Sequence, residues 1–388
     1  MKILYIISTF KGGNGGHAYS LTHISSEISK YADTAIISIG PKRSKVVTTS
    51  PHYLQYLYFD AINILTFKNE LYEVLETYKP DIIHCFDTNA YNIVKLILPN
   101  SKYKIILNKC GGPNKKNYPL FNDLILFSIE NKTWFDQQFE YNKSNIHLIP
   151  NRVKGIKVAA PSQLDEPIFK DQTKFTFVRI ARLGAAYKKG IIDAIRLISI
   201  LTNLNYKVEL YIIGVIENEL ILRELQKEAQ GLNVIFLTKD VHTVKASKML
   251  YLADAVVATG RGLMEACSIG LPVLTPSINA NIPVLVSENN FDSFLSTNFS
   301  ERNVDEGYSK ENNISNIIKL INNKEYNQKL RAFTSEMFEK YFDISEGAKK
   351  YIEVYKSVLT SNRQEVSRFK NIPSKLKTLY GFYKYSRK

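Results

Sequence analysis

The chain has few cysteines and no long apolar run. The first argues against a disulfide framework or a zinc site, and the second argues against a membrane-spanning helix. Its three cysteines, Cys85, Cys110 and Cys267, are widely spaced and match no zinc or redox spacing, so we expect reduced thiols in a cytosolic setting and no metal site. No stretch approaches the roughly eighteen apolar residues of a membrane span, and residues 1–8 precede no cleavage pattern. We therefore expect a cytoplasmic protein, with peripheral association at the inner face of the plasma membrane.

Acidic side chains are also scarce relative to basic ones. The chain carries 51 Lys and Arg against 37 Asp and Glu, a formal net charge of +14. Such an excess is typical of proteins with an acidic partner: nucleic acid, an anionic membrane or a phosphorylated substrate. No nucleic-acid recognition motif is found, so nucleic acid is not expected. The hydrophobic content of 45% suits two domains with separate cores.

Short apolar runs alternate with helix-compatible segments in two series, separated by a polar linker. This alternation predicts two doubly wound, Rossmann-like α/β halves facing a cleft. We place an N-terminal domain at 1–155, a linker at 156–172, a second domain at 173–340 and a C-terminal helical segment at 341–388. The runs that we expect to be strands are 3–7, 34–39, 80–85, 105–107, 124–127, 146–149, 175–181, 208–213, 234–237 and 255–258, and a helix is expected at 243–253 before the last of them.

The segment 256–274 contains the clearest ligand-binding turn. It consists of a β-branched run, a Gly260-Arg261-Gly262 turn, a short helix with Glu265 one turn in, and a second apolar run. In an open parallel sheet such a turn lies at the carboxyl end of a strand, where ligands bind and helix N–H groups are free. Glu265 is therefore expected to face the cleft. A glycine-rich loop at 11–17 and a basic run at 182–190 follow other predicted strands.

These segments together resemble the family 4 retaining glycosyltransferases of the GT-B fold, over most of the chain. The residues 263–274, LMEACSIGLPVL, are similar to the family's donor-site pattern, and Arg182-Leu183 with Lys189-Gly190 resemble its "RL…KG" pair. Further similarities are the strand 80–84, the hinge 149–153 and the N-terminal glycine loop. The resemblance implies two Rossmann-like domains and a nucleotide-diphosphate sugar, most often a UDP-sugar, as substrate with no separate cofactor.

The resemblance also assigns roles to individual residues. Glu265 would accept hydrogen bonds from the ribose hydroxyls, while Arg182 and Lys189 would hold the diphosphate as it leaves; these three are the expected catalytic residues. Further donor contacts are expected from Gly15, Gly16, Lys188, Gly260, Arg261, Gly262 and Leu263. Contacts on the acceptor or sugar side are expected from His17, Lys109 and Asn114.

Two positions depart from the family pattern. Val257 stands where a first donor-site glutamate is common, and Cys110 replaces a histidine that borders the sugar. Arg261 is a candidate contact to phosphate or to a carboxylate-bearing sugar. We expect both changes to affect which sugar is transferred and, to a lesser degree, the activity itself.

The function that follows is a retaining, hexosyl-type transferase acting on a saccharide or polyprenyl-linked acceptor in bacterial cell-surface glycan synthesis. Two alternatives remain: a sugar-nucleotide 2-epimerase of the same fold, and a non-catalytic sugar- or nucleotide-binding GT-B protein.

Residues 363–388, from Arg363 to Lys388, contain eight Lys or Arg among several aromatics. That composition favours an anionic membrane surface as a partner, the alternative being an ordinary solvated helix packed on the domains.

Overall fold

The computed structural model describes residues 1–10, 16–99, 102–114, 117–158, 161–163, 166–244, 246–361 and 371–387. It divides into two compact units, Met1–Arg152 with Ile344–Lys388, and Val153–Asp343. The C-terminal segment, for which the sequence suggests no partner domain, thus groups with the first unit. Each unit is an α/β layer structure with its own sheet, and the predicted pair of doubly wound halves is confirmed.

The first unit contains a parallel sheet covered by helices. Its strands are β1 (Lys2–Ser8), β2 (Asp33–Gly40), β3 (Tyr53–Tyr58), β4 (Ile82–Cys85), β5 (Lys104–Lys109), β6 (Asp123–Leu126) and β7 (Asn145–Leu148). Its α-helices are α1 (Gly16–Ile28), α2 (Lys45–Thr48), α3 (Ile64–Tyr78), α4 (Thr88–Ile97), α5 (Ile129–Asp136), α13 (Ile344–Thr360) and α14 (Ile372–Ser386), joined by a 3-10 turn at Phe139–Tyr141. The strand order is β3-β2-β1-β4-β5-β6-β7.

The centre of this sheet explains the apolar run at the start of the chain. The five residues from Ile3 to Ile7 are fully buried, because helices cover both faces of a parallel sheet. The strand order reverses direction between β1 and β4, and ligands bind at such switch points. There the Ser8 amide donates to Asp87 at 2.7 Å, and the Asp87 carboxylate also caps α4.

The second unit is a smaller sheet with the same winding. Its strands are β8 (Phe175–Ile180), β9 (Val208–Ile213), β10 (Val234–Leu237), β11 (Ala255–Val257), β12 (Val273–Thr275) and β13 (Val284–Leu285). Its α-helices are α6 (Lys188–Asn203), α7 (Glu219–Glu228), α8 (Asp240–Thr243), α9 (Gly260–Cys267), α10 (Phe291–Ser296), α11 (Lys310–Asn322) and α12 (Lys324–Met337). The order is β10-β9-β8-β11-β12-β13, with β13 antiparallel, so the switch point lies between β8 and β11.

Several elements differ from the sequence-based expectations, including three whose differences have a local cause or position near the sites. The strand β3 was not predicted, because this edge strand is largely exposed and has no buried apolar run. The helix α4 was also not predicted. The expected helix at 243–253 is instead α8 followed by a 3-10 helix at Ala246–Leu252, since Val244 has an extended backbone that ends α8.

Candidate functional site in the second unit

Three basic side chains lie at the carboxyl edge of the second sheet, near the β8/β11 switch point. Arg182 follows β8, and Lys188 and Lys189 form the first turn of α6, whose N-cap residue Tyr187 makes no side-chain cap. The Arg182 guanidinium lies 5.2 Å from the centre of the Tyr187 ring and donates to Glu217 at 2.5 Å. The side chains of both Arg182 and Lys189 are more than half exposed, at 52% and 56%. These groups are therefore accessible to an anionic ligand.

The two lysines reach in different directions. Lys188 pairs with Glu224 on α7. Lys189 donates to the buried Asp193 at 2.6 Å and to the Ala280 carbonyl at 3.0 Å, so its ammonium points toward the loop that follows β12. Of the two, Lys189 is thus the cation held over the β8/β11 side of the sheet.

The glycine turn after β11 begins α9. Gly260 has a φ of +48°, which favours glycine, and its N–H donates to the Phe299 carbonyl at 2.8 Å. Thr259 supplies no side-chain cap to the helix. At Gly262 a Cβ would make only ordinary contact, and the Leu263 side chain is fully buried, so a ligand could meet Leu263 only through its backbone. Gly260, Gly262 and Leu263 can therefore contact a ligand through backbone groups rather than through side chains.

Glu265 and Arg261 form an ion pair on α9. Arg261 Nη2 lies 2.8 Å from Glu265 Oε1, one helical turn away, and both side chains are mostly buried. The arginine fixes the carboxylate near the N-terminal end of the helix. A carboxylate held in this way can accept hydrogen bonds from hydroxyl groups of a ligand.

A fully buried arginine, which is not among the residues predicted from the sequence, lies beside this turn. Arg179 on β8 donates from Nη2 to Glu301 Oε1 at 2.8 Å and from Nη1 to the Val257 carbonyl at 3.3 Å. Burial lowers the pKa of Arg179 and raises that of Glu301, the latter shift being opposed by the Arg179 charge. The Glu301 carboxylate lies against Gly190 in the first turn of α6. A signal was available, because an arginine inside the apolar run 175–181 requires a buried partner.

The predicted residues of the first unit occupy the carboxyl edge of its sheet. Gly16 begins α1, and apart from its chain neighbours and its own helix no described atom lies within 4 Å of where its Cβ would be; His17 is partly exposed in the first turn. Gly15 lies outside the described residues. Lys109 is buried at the end of β5 and donates to the carbonyls of Gly111 and Gly112 at 2.9 and 2.6 Å. It therefore holds the loop after β5.

Asn131 continues this network beneath the loop. It accepts from Lys109 Nζ at 3.0 Å and donates to Asn114 Oδ1 at 3.0 Å. Cys110 donates from its thiol to the Phe86 carbonyl at 3.3 Å, and burial raises its pKa well above the usual range, so the thiol stays protonated.

A cavity of about 190 Å³ opens at the same edge, between the ends of β4 and β5. It carries a carboxylate, amides, an ammonium and a phenol, which is a suitable set for a polyhydroxylated ligand. The lining residues are Asp87, Thr88, Asn89, Asn108, Lys109, Cys110, Gly111, Pro113 and Tyr118.

His84 is not accessible for proton transfer. It is fully buried in β4, and its Nδ1 lies 2.8 Å from the Tyr355 hydroxyl of α13, which in turn lies 2.9 Å from the Tyr5 hydroxyl. Burial lowers the pKa of His84 to about 3. This histidine therefore joins α13 to the sheet as a neutral group.

Among the described residues, no cluster of His, Cys, Asp and Glu has the arrangement of a metal site. In the same part of the chain, no helix combines the length and apolarity that crossing a bilayer requires.

Comparisons with known proteins bear on this geometry. Residues 162–337 match the family model of glycosyl transferases group 1, and this range contains all of the second-unit residues discussed above. No curated protein sequence matches the chain. Among solved structures, a glycosyltransferase from Rickettsia africae superposes with a TM-score of 0.65 at 14% identity, covering 93% of this chain and 99% of that one.

Two further structures are similar over the same extent. Sucrose-phosphate synthase from Thermosynechococcus elongatus has a TM-score of 0.65 at 14% identity, with coverage of 93% and 100%. Anabaena HepE, solved in complex with UDP-glucose, has a TM-score of 0.63 at 14% identity, with coverage of 92% and 100%. The chain therefore has the GT-B fold.

Proposed function

We propose that this protein is a glycosyltransferase that uses a nucleoside-diphosphate sugar, with a UDP-sugar as the favoured donor. The observation that carries the proposal is the carboxyl edge of the second sheet, where exposed Arg182 follows β8, exposed Lys189 begins α6, and α9, with its fixed carboxylate Glu265 and no side-chain cap, follows β11. This edge lies within the range that matches the glycosyl transferases group 1 model. The complex of the structurally similar HepE with UDP-glucose supports the choice of donor.

In this proposal each group meets one part of the donor. Arg182 and Lys189 hold the diphosphate through charge-assisted hydrogen bonds, and the helix N-terminus of α9 adds backbone N–H groups. Glu265 accepts hydrogen bonds from the ribose hydroxyls. Lys188 and Arg261 add positive charge near the leaving group.

The proposed mechanism proceeds with retention at the anomeric carbon and needs no strong protein base. The bond from the anomeric carbon to the diphosphate oxygen breaks, the acceptor oxygen bonds to the same face, and the departing diphosphate takes the acceptor proton. Arg182 and Lys189 stabilise the charge that develops on the diphosphate. The buried, neutral His84 is not a candidate acid or base, which is one reason to prefer transfer over epimerisation.

The acceptor is proposed to be a saccharide or a polyprenyl-linked saccharide of the bacterial cell surface, bound by the first unit. The polar cavity beside Lys109 and Asn89 supports this placement, with His17 and Asn114 as further candidate contacts. The proposal includes transfer of a hexosyl group at the inner face of the plasma membrane, where the basic segment 363–388 meets anionic lipid. Residues 363–370 and residue 388 of that segment lie outside the described residues.

The test is incubation of the full chain with a panel of nucleotide sugars, followed by assay of nucleoside-diphosphate release and by NMR of the product anomer. We expect UDP release from at least one UDP-sugar and a product with the donor's configuration. An epimerised donor formed without acceptor would favour the epimerase, and tight binding without transfer would favour a non-catalytic binder. Failure to bind any nucleotide sugar by folded protein would contradict the proposal.

A further inference from the structure

The helix α14 buries two hydroxyl side chains and leaves a row of apolar side chains exposed. Ser374 and Thr378 are buried against the first unit, whereas Leu376 and Tyr380 are 60% and 65% exposed. Ile372 and Tyr383 extend the exposed row at helical spacing. A helix that packs on a soluble domain normally shows the reverse arrangement. The outward face of α14 therefore has the composition of a contact surface rather than of a solvent-exposed one.

Specific hydrogen bonds fix this orientation. Asn92 on α4 donates to the Ser374 hydroxyl at 2.7 Å and to the Thr378 hydroxyl at 2.9 Å. Thr378 in turn donates to Asn89 Oδ1 at 3.1 Å. Phe382 is fully buried and anchors the end of the helix. Turning the apolar row inward would break these contacts, so its exposure is a property of the packed helix.

A second exposed apolar pair lies next to α14. The centre of the Phe382 ring lies 4.9 Å from that of Phe59. Beyond Phe59, Ile62 in the following loop and Leu65 in the first turn of α3 are 61% and 76% exposed. We call the exposed row of α14, which consists of Ile372, Leu376, Tyr380 and Tyr383, the docking face.

The charged side chains of α14 have one sign. The helix contains no acidic residue, its exposed side chains include Lys377 and Lys384, and the exposed Arg387 follows at its end. Apolar and tyrosine side chains bordered by cations match the boundary of an anionic bilayer, where rings enter the headgroup region and each nearby Lys or Arg contributes electrostatic attraction. A protein partner would impose no such requirement for uniform positive charge.

We propose that the docking face binds the surface of an anionic lipid bilayer, with α14 lying in the plane of the interface. This inference deepens the membrane part of the proposed function and rests on it. The proposal also connects the docking face with the polar cavity through α4. Asn89 of this helix accepts a hydrogen bond from α14 and also lines the cavity. A lipid-linked saccharide held at the bilayer surface would then be presented to the cavity by the helix that docks there.

The test is flotation of the full chain with vesicles of phosphatidylcholine alone or with about 30% phosphatidylglycerol, which gives the vesicle a negative surface potential. Two double variants are compared, Leu376→Ser/Tyr380→Ser and Lys377→Gln/Lys384→Gln. The matched control is Leu220→Ser/Lys227→Gln on the exposed face of α7 in the other unit. Deletion of α14 is avoided, because it would uncover Phe59 and Asn92.

We expect binding to the anionic vesicles only, a loss of about tenfold or more in the apolar variant and about 30-fold in the lysine variant, and no change in the control. Thermal unfolding of each variant should match wild type, since the changed side chains are exposed. Unchanged vesicle binding in both variants, or a dimer that the apolar variant dissociates, would overturn the proposal. The assay contains no donor sugar, so its failure leaves the transferase proposal standing.

Discussion

Arg179 and Glu301 form a buried ion pair beneath the β11–α9 turn, although 122 positions separate them in the sequence. The pair joins the central strand of the second unit to the loop after α10, and the same arginine holds the carbonyl of Val257. Val257 is the position at which a glutamate was expected. In this protein the Glu301 carboxylate, which belongs to the loop after α10, is linked to Val257 through Arg179.

Removal of the Glu301 charge should destabilise the second unit. Glu301→Ala leaves the Arg179 guanidinium buried without its counter-ion, and we expect a loss of about 3 kcal/mol in the free energy of unfolding. Arg179→Met/Glu301→Ala should recover part of that loss, because no charge then remains buried. Differential scanning calorimetry of the single and double variants measures this coupling; additive losses would exclude it.

Gly190→Ala should displace the Glu301 carboxylate. The new Cβ would lie 2.8 Å from both Glu301 oxygens and 2.9 Å from Pro276 Cγ, closer than carbon and oxygen atoms approach. We expect a loss of about 1–3 kcal/mol, as for other overpacked sites. Gly262→Ala is the matched control, since its Cβ would make a normal contact of 3.8 Å. Equal melting temperatures for the two variants would contradict the described packing.

Lys189→Met should weaken UDP binding. A charge-assisted hydrogen bond contributes about 1.5–3 kcal/mol, so the dissociation constant should rise about 10- to 100-fold. The fold should survive, because Asp193 keeps Arg196 as a partner at 3.4 Å. Lys207→Met is the control, since Lys207 is exposed before the amino end of β9, at the opposite sheet edge. Isothermal titration calorimetry with UDP distinguishes the two positions, and an equal effect at both would count against the site.

Glu265→Gln should reduce the selectivity for ribose hydroxyls. We expect this variant to bind UDP about tenfold more weakly, because two strong acceptor interactions become weaker ones. The control ligand is 2′,3′-dideoxy-UDP, whose affinity should be nearly the same for both proteins. If both ligands lose affinity equally, Glu265 acts only through the folding of α9.

His84 should make the first unit sensitive to acid. Its pKa is lowered from about 6.5 to about 3 in the folded protein, so between these values the unfolded chain binds the additional proton. Stability is full above pH 6.5 and falls as the pH is lowered, by about 2 kcal/mol between pH 7 and pH 5 from this group. Urea unfolding followed by the fluorescence of Trp134, the single tryptophan, reports on this unit. His84→Asn should show a correspondingly shallower pH dependence, and an unchanged slope would refute the assignment.

The sequence predicts the sheets well because buried parallel strands leave continuous apolar runs, as in Ile3–Ile7 and in β8. It also predicts which residues lie at the carboxyl edges, including Arg182, Lys189 and Glu265, since strand ends and glycine turns are local features. Some partners of those residues are distant in the chain, as for Arg182 with Glu217 and for Lys189 with the Ala280 carbonyl, and local patterns do not reveal them.

Long-range pairing accounts for the rest of what was missed. The contact of Arg179 with Glu301 and that of Tyr5 with Tyr355 depend on how loops and terminal helices return to a sheet. Helical periodicity identifies α13 and α14 as helices, but it does not say which unit they pack on. The sequence also does not reveal which face of α14 is buried, because that depends on the hydrogen bonds from Asn92 of α4 to Ser374 and Thr378.

The central claim is that the β8/β11 edge of the second unit binds the nucleotide of a sugar donor. A crystal structure of the full chain with UDP tests it most directly. We expect the diphosphate within hydrogen-bond distance of Arg182 and Lys189, and the ribose hydroxyls hydrogen-bonded to the Glu265 carboxylate. A well-ordered UDP bound elsewhere on the protein, with these three side chains unchanged, would contradict it.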